Sequence, residues 1–113
     1  MTQTAAAPPK RAFIQSSDAE GLLVEVAPDC WETFTWTRVA SIVGFMVDHS
    51  YGARVIMISI EVGPGQALLL CELDPAWSQI VETLHIHLPY ALRFENWAMQ
   101  ILSKPGITRI YGR

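Results

Sequence analysis

The chain has 113 residues, half of them apolar and only 17% charged, with 8 Lys+Arg against 11 Asp+Glu and a formal net charge of −3. That length suits one domain burying roughly two-thirds of the surface its unfolded chain exposes, so neither a disulfide nor a metal is needed as a staple. Lys10-Arg11 is the one adjacent basic pair, which excludes the clustered cations that phosphate-backbone binding requires and argues against a nucleic-acid partner.

Charged residues fall below the ~25% usual for soluble domains. Some apolar surface is therefore expected outside the core, as a self-association surface or a partner site. The N-terminal Met-Thr-Gln-Thr-Ala-Ala-Ala-Pro-Pro-Lys-Arg lacks the apolar region of a secretory signal. No run reaches the ~18 apolar residues of a membrane span. Cys30 and Cys71 read as free thiols of a reducing compartment. The expectation is a cytoplasmic protein without membrane contact.

In chain order, residues 1–10 read as a disordered Ala/Pro-rich tail and residues 11–113 as a single α+β domain. Arg11-Ala-Phe-Ile-Gln and Leu22-Leu-Val-Glu-Val26 are strand candidates, separated by Ser16-Ser-Asp-Ala-Glu-Gly21. Ala27-Pro-Asp-Cys30 is a turn. Residues 31–43 are ambiguous: Asp29 with Glu32 resembles a capping box, but Trp-Glu-Thr-Phe-Thr-Trp-Thr prefers a strand. The favoured reading is a strand through Trp36, a bend or helical turn near Arg38 to Ser41, then a strand from Ile42 to Val47. Asp48-His-Ser-Tyr-Gly52 links that strand to the next, giving an antiparallel meander.

Residues 54–73 read as a β-hairpin about Pro64-Gly65, since Pro presets φ for the second turn position and Gly accepts positive φ at the third. Pairing outward from the turn sets Val62 against Ala67, Ile60 against Leu69, Ile58 against Cys71 and Ile56 against Leu73. Alternation places those eight side chains on one face. The opposite face then carries Met57, Ser59 and Glu61 with Gln66, Leu68, Leu70 and Glu72, a mixture suited to a partly wet surface.

Asp74-Pro75 starts a helix. Trp77, Ile80, Val81, Leu84 and Leu88 form its apolar stripe, and Pro89 stops it. A second helix from about Leu92 to Ser103 carries Phe94, Trp97, Ile101 and Leu102 on one side, and Lys104-Pro-Gly106 closes it. Ile107 to Tyr111 suits a final short strand.

The chemistry-bearing residues form no recognisable catalytic or metal set. His85 and His87, two apart on a helix, point about 200° away from one another and cannot share an ion. Asp48-His49-Ser50 are neighbours in a loop without a nucleophile elbow. Gly63-Pro-Gly65 precedes a strand rather than a helix and puts Pro where an N–H is wanted. Glu61 and Glu72 fit a wet face, and Trp31, Trp36, Trp77 and Trp97 fit core packing. No enzyme and no cofactor are read from these residues.

Trp36-Thr-Arg-Val39-Ala-Ser-Ile42, then the hairpin ending Glu72-x-Asp74-Pro-x-Trp77, a helix closing in Leu88-Pro89 and a helix carrying Trp97 resemble small uncharacterised bacterial proteins with a pleckstrin-homology-like fold. The likeness spans roughly residues 20 to 111. It implies a bent antiparallel sheet or partial barrel, closed by C-terminal helix. Two features depart from it: this chain reads with two C-terminal helices, and the loop matching the family's basic phosphoinositide site is the acidic Ser16-Ser-Asp-Ala-Glu-Gly21. A phosphate head group would be repelled there.

Together these features predict an α+β fold, an antiparallel meander sheet or partial barrel packed by two C-terminal helices. The expected function is non-catalytic binding of another protein or of a second copy. Its candidate surface is Tyr51, Met57, Leu68 and Leu70. An apolar ligand held in a partial-barrel cavity bordered by Trp36 and Trp77 is the alternative, and an enzyme built on His49, His85 or Cys30 ranks third.

Overall fold

The computed structural model describes residues 13–49 and 52–112. They form two antiparallel sheets and a set of helices around one apolar core. The first sheet has the order β1-β2-β3, from Phe13–Ser17, Gly21–Ala27 and Cys30–Thr35. The second has the order β6-β5-β4-β7, from Gln66–Cys71, Arg54–Gly63, Ser41–Asp48 and Thr108–Gly112. The single meander expected from sequence is thus split in two.

The split falls at a 3-10 turn over Trp36–Arg38, which starts two residues before the bend expected near Arg38 to Ser41 and ends the preceding strand at Thr35. Trp36 anchors that corner. Its ring is buried, its Nε1–H donates to the Asp18 carbonyl at 2.7 Å, and it stacks on His87 with centroids 4.9 Å apart. An indole keeps its N–H satisfied in the core only where such an acceptor is supplied.

The hairpin of β5 and β6 exists with its turn at Pro64-Gly65, where Gly65 has φ +66°. Its register differs from the one expected. Gly63 pairs with Gln66, but Glu61 pairs with Ala67, Ile60 with Leu68, Ile58 with Leu70 and Met57 with Cys71. A bulge between Glu61 and Gly63 adds Val62 as an extra residue on β5. A turn with positive φ only at its third position does not match the right-handed twist of the strands, and a bulge next to it absorbs the mismatch. Because side chains alternate, one inserted residue on one strand exchanges the two faces of the other.

Between the sheet and the final strand lie α1 (Trp77–Val81), α2 (Leu84–His87) and α3 (Phe94–Ser103). The first helix expected from sequence is therefore two short ones, and the C-terminal part has three helical segments where two were expected. The break is at Thr83, whose Oγ1–H bonds back to the Gln79 carbonyl at 2.8 Å and approaches that of Ile80 at 3.3 Å. Such back-bonding competes with the regular ladder. The apolar stripe survives the break, since Trp77, Ile80, Val81, Leu84 and Leu88 are all buried.

Tyr90, with φ +74°, turns the chain after α2. The Leu92 N–H then donates to the Ile110 carbonyl at 2.9 Å, tying the start of α3 to β7. Trp97 and Ile101 of α3 are buried, whereas Leu102, expected beside them, is 68% exposed. Phe94, Trp97 and Trp77 meet edge to face, with centroids 5.0 to 6.5 Å apart, the arrangement aromatic quadrupoles prefer. Gly44 of β4 lets α3 approach the sheet: a Cβ there would lie 2.6 Å from Ile101 Cδ1.

Candidate interaction surface

The second sheet has two unlike faces. Ile42, Ile56, Ile58, Ile60, Val62, Leu68, Leu70 and Ile110 point inward and belong to the core, with the helices and the first sheet over them. The outward face is ordered in cross-strand rows. Val47 pairs with Val55; Phe45 with Met57, which pairs with Cys71; Val43 with Ser59, which pairs with Leu69; and Ser41 with Glu61, which pairs with Ala67. The apolar rows lie toward the β4–β5 connection. Polarity rises toward the hairpin turn, where the Ser41 hydroxyl donates to Glu61 Oε1 at 3.1 Å.

Of the described residues that are both apolar and buried, Val55 and Cys71 alone stand outside the core cluster. They are covered within this outer layer and have no place in the interior. Phe45, Val47, Met57 and Leu69 around them are half-buried. The outward face is a second apolar layer with one side toward solvent.

Of the residues singled out from sequence, Met57 lies at the centre of this face. Leu68 and Leu70 do not: at 3% and 0% exposure they are core residues, and their assignment to the surface is corrected by the bulge described above. Leu69 and Cys71 take the positions given to them. Tyr51 lies outside the described residues. Phe45, Val47 and Val55 were missed, although Val43-x-Phe45-x-Val47 alternates with Ile42-x-Gly44-x-Met46. Apolar residues at both parities signal a strand with two apolar faces.

The remaining candidates are scattered. His87 stacks on Trp36, His85 buries a Nδ1 with no hydrogen-bond partner, and His49 sits in an exposed connection. Among the described residues no three or more His, Cys, Asp or Glu side chains converge as metal ligands would. Glu72 faces main chain, its Oε1 accepting the Ile56 N–H at 2.7 Å. Cys30 and Cys71 are both free, the first exposed and the second buried.

Trp36 and Trp77, expected to border a ligand cavity, instead pack directly on His87 and on Phe94 and Trp97. Trp31, expected in the core, is 48% exposed on the edge strand β3. Among the described residues no helix is long and apolar enough to cross a membrane. No protein family, curated protein or solved structure matches the chain.

Proposed function

We propose that this is a non-catalytic cytoplasmic interaction domain that associates with a second copy of itself through the outward face of the four-stranded sheet. The observation that carries the proposal is the apolar layer of Val43, Phe45, Val47, Val55, Met57, Leu69 and Cys71, separate from the core. Three strands about 4.8 Å apart, each contributing roughly five residues at ~3.3 Å, give a patch on the order of 240 Å². An apolar patch of that order is often a functional contact on a soluble protein.

Two such faces can stack as sheets do, about 10 Å apart with side chains interleaved. The patch is smaller than the roughly 800 Å² per partner of a standard interface. Association is therefore expected to be reversible and concentration-dependent. The three- and four-stranded sheets with a helix packed on the core support the proposed pleckstrin-homology-like relationship, and β7 after that helix departs from it. Phosphoinositide is no part of the proposed function: the loop between β1 and β2 carries Asp18 and Glu20 and no Lys or Arg.

Sedimentation velocity across a concentration series tests the proposal. The wild-type chain is expected to show a monomer–dimer equilibrium, and Phe45→Asp and Met57→Asp variants are expected to stay monomeric with unchanged far-UV circular dichroism. A wild-type chain that remains monomeric throughout the series overturns it.

A further inference from the structure

Strand β4 is paired on both sides only for part of its length. β5 runs beside it from Ser41 to Asp48, but the register with β7 ends at Gly44 opposite Thr108. Gly106, with φ +106°, lies between α3 and β7, two residues before Thr108. Among the described residues, Phe45 to Asp48 are thus one-sided. The His49 N–H donates to the Ala53 carbonyl at 2.6 Å, which sets the alternation of the ladder. Phe45 and Val47 bond toward β5, and Met46 and Asp48 present N–H and C=O to the open side.

Beside this open edge is a groove of about 470 Å³ bordered by Phe45, Met46, Ile101, Leu102, Pro105 and Ile107. Leu102 and Ile107 are two of the most exposed large apolar residues of the described chain, Ile107 at 73%. Arg54 and Lys104 also border the groove, and no acidic residue does. On a chain of net charge −3 that is a local reversal of sign. Asp48 lies beyond the rim, 3.5 Å from Arg54.

We propose that this edge and groove receive an extended peptide strand of a partner protein, apolar at alternate positions and bearing a carboxylate. The backbone of the peptide continues the sheet through Met46 and Asp48, the mode in which main-chain hydrogen bonds give affinity and side-chain pockets give specificity. Its apolar residues seat against Leu102 and Ile107. Its carboxylate lies at the Lys104 end, away from Asp48. The sign of the groove selects the occupant. A second copy placed edge to edge would bring like cations together, and the chain's own first twelve residues carry Lys10-Arg11 and no acid. This site does not depend on pairing of the outward sheet face.

The test is selection of a phage-displayed octapeptide library, with free C-termini, on the full-length protein. Selected peptides are then titrated into the ¹⁵N-labelled chain. Enriched sequences are expected to alternate apolar residues and to carry Asp, Glu or an essential terminal carboxylate. The Met46, Asp48 and Lys104 amides are expected to shift, and Lys104→Glu, at an exposed position, to weaken binding at least tenfold while folding normally. No enrichment, binding unaffected by Lys104→Glu, or shifts confined elsewhere overturns the proposal. So do Overhauser contacts, in the free protein, from the groove to residues 1–12 or to a second copy. Because Lys104 lies off the outward sheet face, failure here leaves the monomer–dimer measurement independent.

Discussion

Ile60 of β5 stands directly opposite Leu68 of β6, and this single pairing decides which leucines of Leu68-Leu69-Leu70 are core. With Leu68 inward, Leu70 follows it and Leu69 faces out. Leu70→Ala should therefore lower unfolding free energy by about 2–5 kcal/mol, the range for a fully buried leucine that leaves a cavity. Leu69→Ala should cost less than ~1.5 kcal/mol and instead weaken self-association. Urea unfolding together with sedimentation of both variants checks this. The opposite order of effects would mean that the register is the unbulged one.

The strands were legible because their patterns are strong. Leu22 to Val26, Ile42 to Val47, Arg54 to Val62 and Ile107 to Tyr111 each fall on or within two residues of an observed strand. The facing of β6 was not legible. One parity reads Ala67, Leu69, Cys71, Leu73 and the other Gln66, Leu68, Leu70, Glu72, so hydrophobicity favours the wrong face, and the bulge at Val62 that reverses it is a backbone event. The break at Thr83 was hidden for a related reason. The apolar spacing runs through it unbroken, and only a side-chain-to-backbone bond marks the boundary. Trp31 shows the converse error: a strand-forming aromatic on an edge strand, paired with Glu25, satisfies the same propensity as a core tryptophan.

The two cysteines give an inexpensive check on burial. Cys30 is exposed and Cys71 buried in the outer layer, both as free thiols. A thiol-reactive chromophore should modify one cysteine rapidly in the native protein and the second only on denaturation. Phe45→Ala, which removes the side chain in the same cross-strand row as Cys71, should accelerate the second reaction. Equal fast reaction of both thiols in the wild type would contradict the burial of Cys71.

Two glycines are required by close approach, and they should differ in tolerance. At Gly21 an added Cβ would collide with the Phe34 carbonyl oxygen, and at Gly44 it would lie 2.6 Å from Ile101 Cδ1. The first obstacle is backbone held in the β2–β3 ladder; the second is the end of a side chain. Gly44→Ala should cost about 1–3 kcal/mol, as overpacking does, and be partly restored by Ile101→Val, which removes the nearest methyl. Gly21→Ala should cost more and find no such suppressor. Thermal unfolding of the two single variants and the double variant distinguishes these outcomes.

Gln79 of α1 makes a two-sided polar contact with the first sheet. Its Oε1 accepts the Ser17 N–H at 3.0 Å and faces the Ser17 hydroxyl at 3.2 Å, while its Nε2 donates to the Ser17 carbonyl at 2.9 Å. The amide thus acts as one more strand residue, pairing with the main chain of β1 at a buried serine. Nothing in sequence links positions 62 residues apart, so this clamp could not be anticipated. Gln79→Ala strands a buried donor and acceptor and should cost about 1–3 kcal/mol. Gln79→Glu keeps the acceptor but sets a carboxylate against the Ser17 carbonyl, so its loss should shrink at acidic pH, where the protonated acid can donate in place of the amide. Denaturation of both variants at neutral and acidic pH, each referred to the wild type at that pH, provides the test. An alanine variant as stable as the wild type would mean that water satisfies Ser17 equally well.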